Sequence, residues 1–414
     1  MRRKQHGYIM VQVIVIVACL VALMGMLMAN QRVILREMYD RNHQRRAESV
    51  ARSGIAYALS LLQNANTSLV NPTDDWVTLG QNGQEELVLE EDSFRMQIVD
   101  NGSLINLNTA TEEQLQQLPL QPEQIESLLD WREAGQSPRP NGAKDDYYHT
   151  LQYPYDAKLA SLTTLSEMLL IRGWTARMLY TTEEELTSSQ IQPQDSFGNA
   201  LPLAGMFTVN SGSPITRADG SARVNLAQGV NANTLSQLGV RDQQVVAQLV
   251  ARAPYTSFRT LLGVPGLNTD TVKTLLDGAT FSTGTRQTGK INLNTASEQV
   301  IRSVPNIPSD VASAIVSRQS SGFQSLGDLS TIPGLNTDAL AQVVDAFTVG
   351  SDTWTIRIYG ESGNVGLAFE ITVRLLNTGR IQIQNWNRLN VSGIPAWWGW
   401  QPNTTTTTQL GVTG

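Results

Sequence analysis

Two pairs of carboxylates, Asp130/Glu133 and Asp145/Asp146, flank a stretch reading Pro138-Arg139-Pro140-Asn141-Gly142-Ala143-Lys144. Hard cations such as Ca²⁺ collect roughly six to eight oxygen ligands, and a Pro/Gly-rich loop can fold several carboxylates onto one ion. Calcium is therefore the one cofactor these residue types suggest. The same residues also read as a solvated acidic loop pinned by Trp131, Tyr147 and Tyr148. Catalytic chemistry is not expected. The only histidines are His6, His43 and His149, and Cys19 is the sole cysteine, so no intramolecular disulfide can form. There is no Gly-x-Ser-x-Gly, no His-Glu-x-x-His, no phosphate-binding glycine loop and no Cys-x-x-Cys.

The elements that must position the acidic loop repeat along the chain. Ile105-Asn-Leu-Asn-Thr-Ala110 recurs as Ile291-Asn-Leu-Asn-Thr-Ala296, and Val224-Asn-Leu-Ala227 is a degraded copy. Thr109 with Glu112, and Thr295 with Glu298, have the spacing of helix capping boxes. The second halves repeat too: Phe258-Arg-Thr-Leu261 precedes Val264-Pro-Gly-Leu-Asn268, and Phe323-Gln-Ser-Leu326 precedes Ile332-Pro-Gly-Leu-Asn336. Leu162-Thr-Thr-Leu165 before Arg172-Gly173 is the weaker first version. Three helix-rich units follow, at 105–205, 220–283 and 288–350, within an insertion spanning 105–350. They resemble helix-hairpin-helix (SAM-like) modules, which often grip nucleic-acid phosphates through backbone N–H groups at a Gly-apolar-Gly turn. Here the turns read Pro119-Leu120-Gln121 and Pro305-Asn306-Ile307-Pro308, and basic residues do not cluster beside them. The net charge of −7 hides +5 over residues 1–48, so the rest carries −12 and repels phosphate. Helix packing is favoured over nucleic-acid binding.

Strand spacing brackets the insertion. Leu87 and Leu89, then Phe94, Met96 and Ile98, alternate with polar neighbours, with the turn expected at Glu91-Asp92. Trp354/Ile356/Ile358, Phe369/Ile371/Val373/Leu375 and Ile381/Ile383 alternate at 351–392, with a turn at Asn377-Thr378-Gly379. Four or five antiparallel strands should then pack on a long helix, giving an α+β fold. That helix begins as an uncharged run from Gly7 to Gln31, preceded by Arg2, Arg3 and Lys4. Residues 8–30 suit a single membrane span with the bulk of the chain exported, and 31–104 hold the spine helix and the first strands. Ile55, Ala56, Leu59 and Leu62 recur at helical spacing. A plain signal anchor reads the same apolar run. Residues 393–414, with Trp397, Trp398, Trp400 and a threonine run, read as a flexible tail, and clustered tryptophans read equally as a strand end packed on the core.

The loop and its neighbours carry a resemblance. Asp130-Trp131 followed by Gly142-Ala-Lys-Asp-Asp-Tyr-Tyr148 resembles the Asp-Trp…Gly-Ala-Glu-Asp-x-Tyr-Tyr signature of the GspK family, the minor pseudopilins of type II secretion. The resemblance implies a leader 1–7 cut by prepilin peptidase between Gly7 and Tyr8, with methylation of the new amine. Gln12 then stands at filament position five, where pilin-like proteins usually carry Glu; a subunit with no neighbour above it needs no such acid. The family implies a tip role that starts pseudopilus assembly and supports protein export. The partners it implies are the GspI, GspJ and GspH kinds of minor pseudopilin, the major pseudopilin and the inner-membrane assembly platform, at the inner membrane with the C-terminal domain in the periplasm. It also implies calcium at Asp130, Glu133, Asp145 and Asp146. Gly135 and Lys144 stand where the family has acids, which weakens that site. The alternatives are a membrane-anchored nucleic-acid or DNA-uptake protein and a minor pilin of a type IV pilus-like filament.

Overall fold

The computed structural model describes residues 5–182, 191, 193–194, 198–401 and 406–410, with the side chains of α1 described from Met10 onward apart from Leu27, Ala29, Asn30 and Arg32. One helix, α1 (Gln5–Leu62), runs through the apolar segment and on into the fold. Among the described residues no helix is long and apolar enough to cross a membrane. The unbroken run of described side chains within the apolar segment is Met10–Met26, and its large apolar members are solvent-exposed. The expected span 8–30 extends past that run at both ends. The distal third of α1 is different. Ala47, Val50, Ala51, Ile55, Ala58 and Leu62 recur every three or four residues and are all buried. Ala56, expected on this face, is exposed, because the stripe runs through Gly54 and Ile55.

That stripe lies on a sheet formed by β1 (Glu85–Leu89), β2 (Asp92–Asp100), β3 (Thr353–Ser362), β4 (Val365–Leu375), β5 (Ile381–Leu389) and β6 (Thr406–Gln409). The order is β5-β4-β3-β2-β1-β6. Neighbours are antiparallel except β6, which pairs parallel with β1. The alternating apolar residues share one face because successive strand side chains point to opposite sides. Met96 and Ile98 sit across from Ile358 and Ile356, which face Phe369 and Ile371. Together with the α1 stripe they make one hydrophobic core. Gly54 allows the close approach: a Cβ there would stand 2.5 Å from Ile358 Cδ1 and 2.7 Å from Phe94 Cε2. The first hairpin turns at Glu90-Glu91, one residue before the expected place, with Glu90 at φ 58°.

Between β2 and β3 lie three helical units that share a second core. Each is clasped end to end by a two-residue parallel bridge: Ile105–Asn106 with Phe207–Thr208, Val224–Asn225 with Ala279–Thr280, and Ile291–Asn292 with Phe347–Thr348. The repeated motif explains the clasp. Its first asparagine folds back on the chain, Asn106 Oδ1 accepting from Asn108 N at 2.9 Å and Asn292 Oδ1 from Asn294 N at 3.0 Å. The second asparagine ties the motif to the middle of its unit. Asn108 exchanges two hydrogen bonds with the Leu162 backbone, and Asn294 does the same with Phe323. Ala227 cannot do this in the degraded unit. There Phe258 N and Arg259 N donate to Asp345 of the third unit, at 3.1 and 3.2 Å.

The helix caps differ from the expected boxes. Thr111 and Ser297 cap these helices, accepting from Gln114 N and Val300 N. The hydroxyl of Thr109 donates to Asn106 O, and that of Thr295 to Asp100 Oδ2 at 2.6 Å. The parallel bridge bends the chain first, so each helix opens two residues later. Asp100 ends β2 and joins sheet to head: it is buried and also accepts from Gly102 N (2.7 Å) and Asn292 Nδ2 (2.8 Å). Burial pushes its carboxyl above the usual range, although its hydrogen bonds oppose the rise. A second joint is the bidentate pair of Arg286 with Asp352, at 2.6 and 2.9 Å. The segment expected to be a flexible tail is corrected at two places: Thr406–Gln409 pairs with β1 as β6, and the tryptophan run packs on the fold. Trp397, Trp398 and Trp400 are buried, because their indoles find partners: Trp397 and Trp398 donate to Glu370 Oε1, and Trp400 to Gln97 Oε1. Residues 402–405 and 411–414 lie outside the described residues.

Candidate functional site

The acidic loop hangs from helix α2 (Pro122–Arg132). Pro122 occupies the first helical position, where its missing N–H costs nothing, and Gln121 N donates to Gln124 Oε1 at 2.6 Å. Apolar spacing buries Ile125, Leu128 and Leu129. Arg132, at the end of α2, reaches back to the carbonyls of Leu107 and Ala110 and so locks the helix to the first asparagine motif.

Past α2 the loop closes on an aromatic cluster. Trp131 meets Tyr148 edge-on with centroids 5.3 Å apart, and Tyr148 stacks on Tyr155 at 5.3 Å. Tyr148 is fully buried, and burial pushes its hydroxyl up to about 12. Arg172 lies over the Tyr147 ring at 4.8 Å and pairs with Glu123 at 2.5 Å. Gly142 is required by the packing: a Cβ there would stand 1.9 Å from Asp130 Oδ2.

The four expected ligands do not converge. Asp130 is 1% exposed, and both its carboxylate oxygens are taken by Arg139, through the backbone N at 2.9 Å and Nη1 at 2.8 Å. Arg139 Nη2 also reaches Glu133 Oε2 at 2.7 Å. Lys144 is buried behind them, its ammonium donating to the carbonyls of Asp130 and Glu133. These carbonyls belong to the last turn of α2 and its C-cap, groups that a helix leaves unpaired and that favour positive charge. Asp145 sits elsewhere, accepting from Ala157 N and Gln136 Nε2, both at 2.7 Å. Asp146 is exposed.

Calcium does not fit this arrangement. It needs free oxygen lone pairs arranged around one point. Here Arg139 already holds both carboxylate oxygens of Asp130 and one of Glu133, and Lys144 holds the main-chain carbonyls of the same two residues. Sequence reading marked Lys144 as a charge that weakens the site, but it missed Arg139 as the partner of both acids. It missed a second grouping as well. Asp145, His149 and Asp156 bring one ligand atom each within 4.8 Å of one another. His149 Nε2 and Asp156 Oδ1 face each other at 2.7 Å, and that hydrogen bond raises the imidazole above its ordinary value. The spacing of 149 and 156 carries no familiar signature, so only the folded loop reveals the pair.

Gly7 and Tyr8 lie in the first turns of α1, and the Tyr8 side chain lies outside the described residues. Gln12 is exposed on the same helix.

The family model for protein K of the type II secretion system (T2SS) matches residues 103–184. A helix-hairpin-helix motif model matches residues 286–348. No curated protein matches the chain. Among solved structures, a chain of the GspK-GspI-GspJ complex from enterotoxigenic Escherichia coli superposes with a TM-score of 0.47 at 13% identity, covering 87% of this chain and 100% of that one.

Proposed function

We propose that this chain, GspK-like through its protein K domain at 103–184, works as a minor pseudopilin at the tip of a type II secretion pseudopilus. That domain match is the observation that carries the reading. It covers the Asp-Trp…Tyr-Tyr loop and the packing that makes the loop rigid.

The finer parts of the role rest on shape. An apolar rod with exposed Met10–Met26 needs a covering, and a lipid core or sister rods would supply one. On this reading residues 8–30 form the membrane helix at the inner membrane, the head faces the periplasm, and prepilin peptidase cuts between Gly7 and Tyr8. The amine so formed is then methylated. Gln12 brings no buried charge into the rod, which suits a subunit without a neighbour above. The three clasped units, read as SAM-like helix-hairpin-helix repeats, make a head too broad for the interior of a filament packed from such rods. A tip subunit of this kind would start assembly and meet the GspI, GspJ and GspH kinds of subunit, the major pseudopilin and the assembly platform. The role is structural rather than catalytic.

The helix-hairpin-helix match favours a second reading, nucleic-acid binding by the head. The turns argue against it. Asn336 Oδ1 accepts from Ala339 N and Asn268 Oδ1 from Thr271 N, so these helix-opening donors are already spent on the chain itself. Pro308 has no N–H to give. N-terminal mass spectrometry of the membrane-extracted protein tests the first reading: a methylated start at Tyr8 is expected, and an intact Met1 or a cut near Asn30 overturns filament entry. A gel shift with duplex DNA at moderate salt tests the second, and firm binding would reverse the order.

A further inference from the structure

Tyr148 and Tyr155 stack with ring centroids 5.3 Å apart, and each is followed in the chain by a residue with a metal-ligating atom. His149 follows the first and Asp156 the second. The stack therefore fixes the backbone under both side chains, and His149 Nε2 comes to 2.7 Å from Asp156 Oδ1. Asp145 joins them from one helical turn away. His149 keeps helical backbone angles (φ −72°, ψ −17°) at the end of the turn Asp145–Tyr148, so positions 145 and 149 share a face. Asp145 Oδ1 also accepts from Ala157 N at 2.7 Å, which ties that turn to the residue beside Asp156. Among the described residues this is the one place where three such ligand atoms gather, all within 4.8 Å of one another.

This group differs from Asp130 and Glu133 in what holds it. Arg139 and Lys144 bond to those two residues. The Asp156 side chain is 81% exposed and meets only His149. The two oxygens of Asp145 accept one hydrogen bond each, from Ala157 N and Gln136 Nε2, and each keeps a second lone pair.

The imidazole decides which ion fits. Calcium collects roughly six to eight oxygens and takes no nitrogen here. A neutral imidazole with two carboxylates suits zinc, at bond lengths of about 2.0–2.2 Å. Tetrahedral bonds of that length set ligand atoms about 3.3 Å apart, so the His149–Asp156 pair has to open by roughly half an ångström. Both side chains are more than half exposed and free to make so small a rotation.

We propose that Asp145, His149 and Asp156 form a three-ligand site for a borderline divalent cation, zinc above all, with its fourth position open to solvent. The ion takes the place of the proton shared by His149 and Asp156. Binding releases that proton and so tightens as pH rises. It also fastens the loop between 145 and 156 with a link that ring stacking alone does not supply. The pseudopilin reading neither requires this site nor falls with it.

The test uses the untagged full chain in detergent and zinc chloride, followed by titration calorimetry and imidazole proton NMR. One ion per chain should bind, more tightly at higher pH. The His149 ring signals should move while those of His43, which is bonded to Ser362, stay in place. Calcium chloride at the same concentration should leave the His149 signals still. His149→Gln and Asp156→Asn, both at exposed positions, should each weaken zinc binding by roughly tenfold or more. Absence of zinc binding to the native chain overturns the proposal whatever the variants do. Zinc that binds His149→Gln as tightly as the native chain overturns it as well, since the ion then sits elsewhere. Calcium that moves the His149 signals as far as zinc does marks an unselective acidic surface, and the zinc site falls.

Discussion

Replacing Lys144 with Met asks whether the chain supplies its own cation. Methionine keeps most of the apolar stem and removes the ammonium. Two hydrogen bonds from a charged donor disappear, leaving the carbonyls of Asp130 and Glu133 without it at the end of α2. Hydrogen bonds to charged groups contribute about 1.5–3 kcal/mol each. The ammonium is itself desolvated, and that burial lowers its proton affinity, so part of the gain is already offset. A net loss of about 3 kcal/mol is expected, roughly a 150-fold change in the local opening equilibrium. Hydrogen exchange read by mass spectrometry on peptides from 122–150 measures it locally, so unfolding elsewhere does not blur the result. In the native chain millimolar Ca²⁺ should leave exchange in these peptides unchanged. In Lys144→Met the same addition should restore little, because Arg139 still occupies Asp130 and Glu133. Unchanged exchange in the variant would refute the reasoning. Marked protection of the native chain by Ca²⁺ would refute it more directly, since it would mean that the ion displaces both side chains.

Three further outcomes follow from other parts of the fold. His149 should titrate above the ordinary histidine value, and Asp156→Asn should bring it back, as followed by imidazole proton NMR. The sign is that of a raised base: the pair's contribution is complete below the ordinary value and is lost as pH rises through the raised one. Gly54→Leu should destabilise the spine–sheet core by about 3 kcal/mol, because its Cβ would meet Ile358 Cδ1 at 2.5 Å; faster exchange over residues 94–98 reads this out, and an unchanged rate contradicts the packing. Asn294→Ala should cost about 3 kcal/mol by stripping bonds from Phe323 N, Phe323 O and Val70 O, whereas Ala227→Asn in the degraded unit should gain little while Asp345 serves Phe258. Denaturant midpoints compare the two.

Periodicity made the large elements readable. Apolar residues at alternate positions announced β2, β3, β4 and β5, since one face of each strand had to be buried. The three-and-four stripe announced the spine, although Ala56 turned out to face water. The repeated asparagine motifs announced three units because each copy must close its own unit. Local turn chemistry was less faithful. Thr109 and Thr295 had the right spacing for caps, but the parallel bridges drew their hydroxyls elsewhere.

Composition and spacing alone thus pointed to a long helix, an antiparallel sheet and helical units between its strands, because these follow from which side chains must leave water. Tertiary structure alone decided which charges meet. Arg139 folds back on Asp130 and Glu133, Lys144 caps α2 from across the loop, and Arg357 and Glu370 come opposite each other only when β3 pairs with β4 in one register. Coulomb and hydrogen-bond energies depend on distances of a few ångströms. Such distances between residues far apart in the chain exist only once the core has placed the backbone.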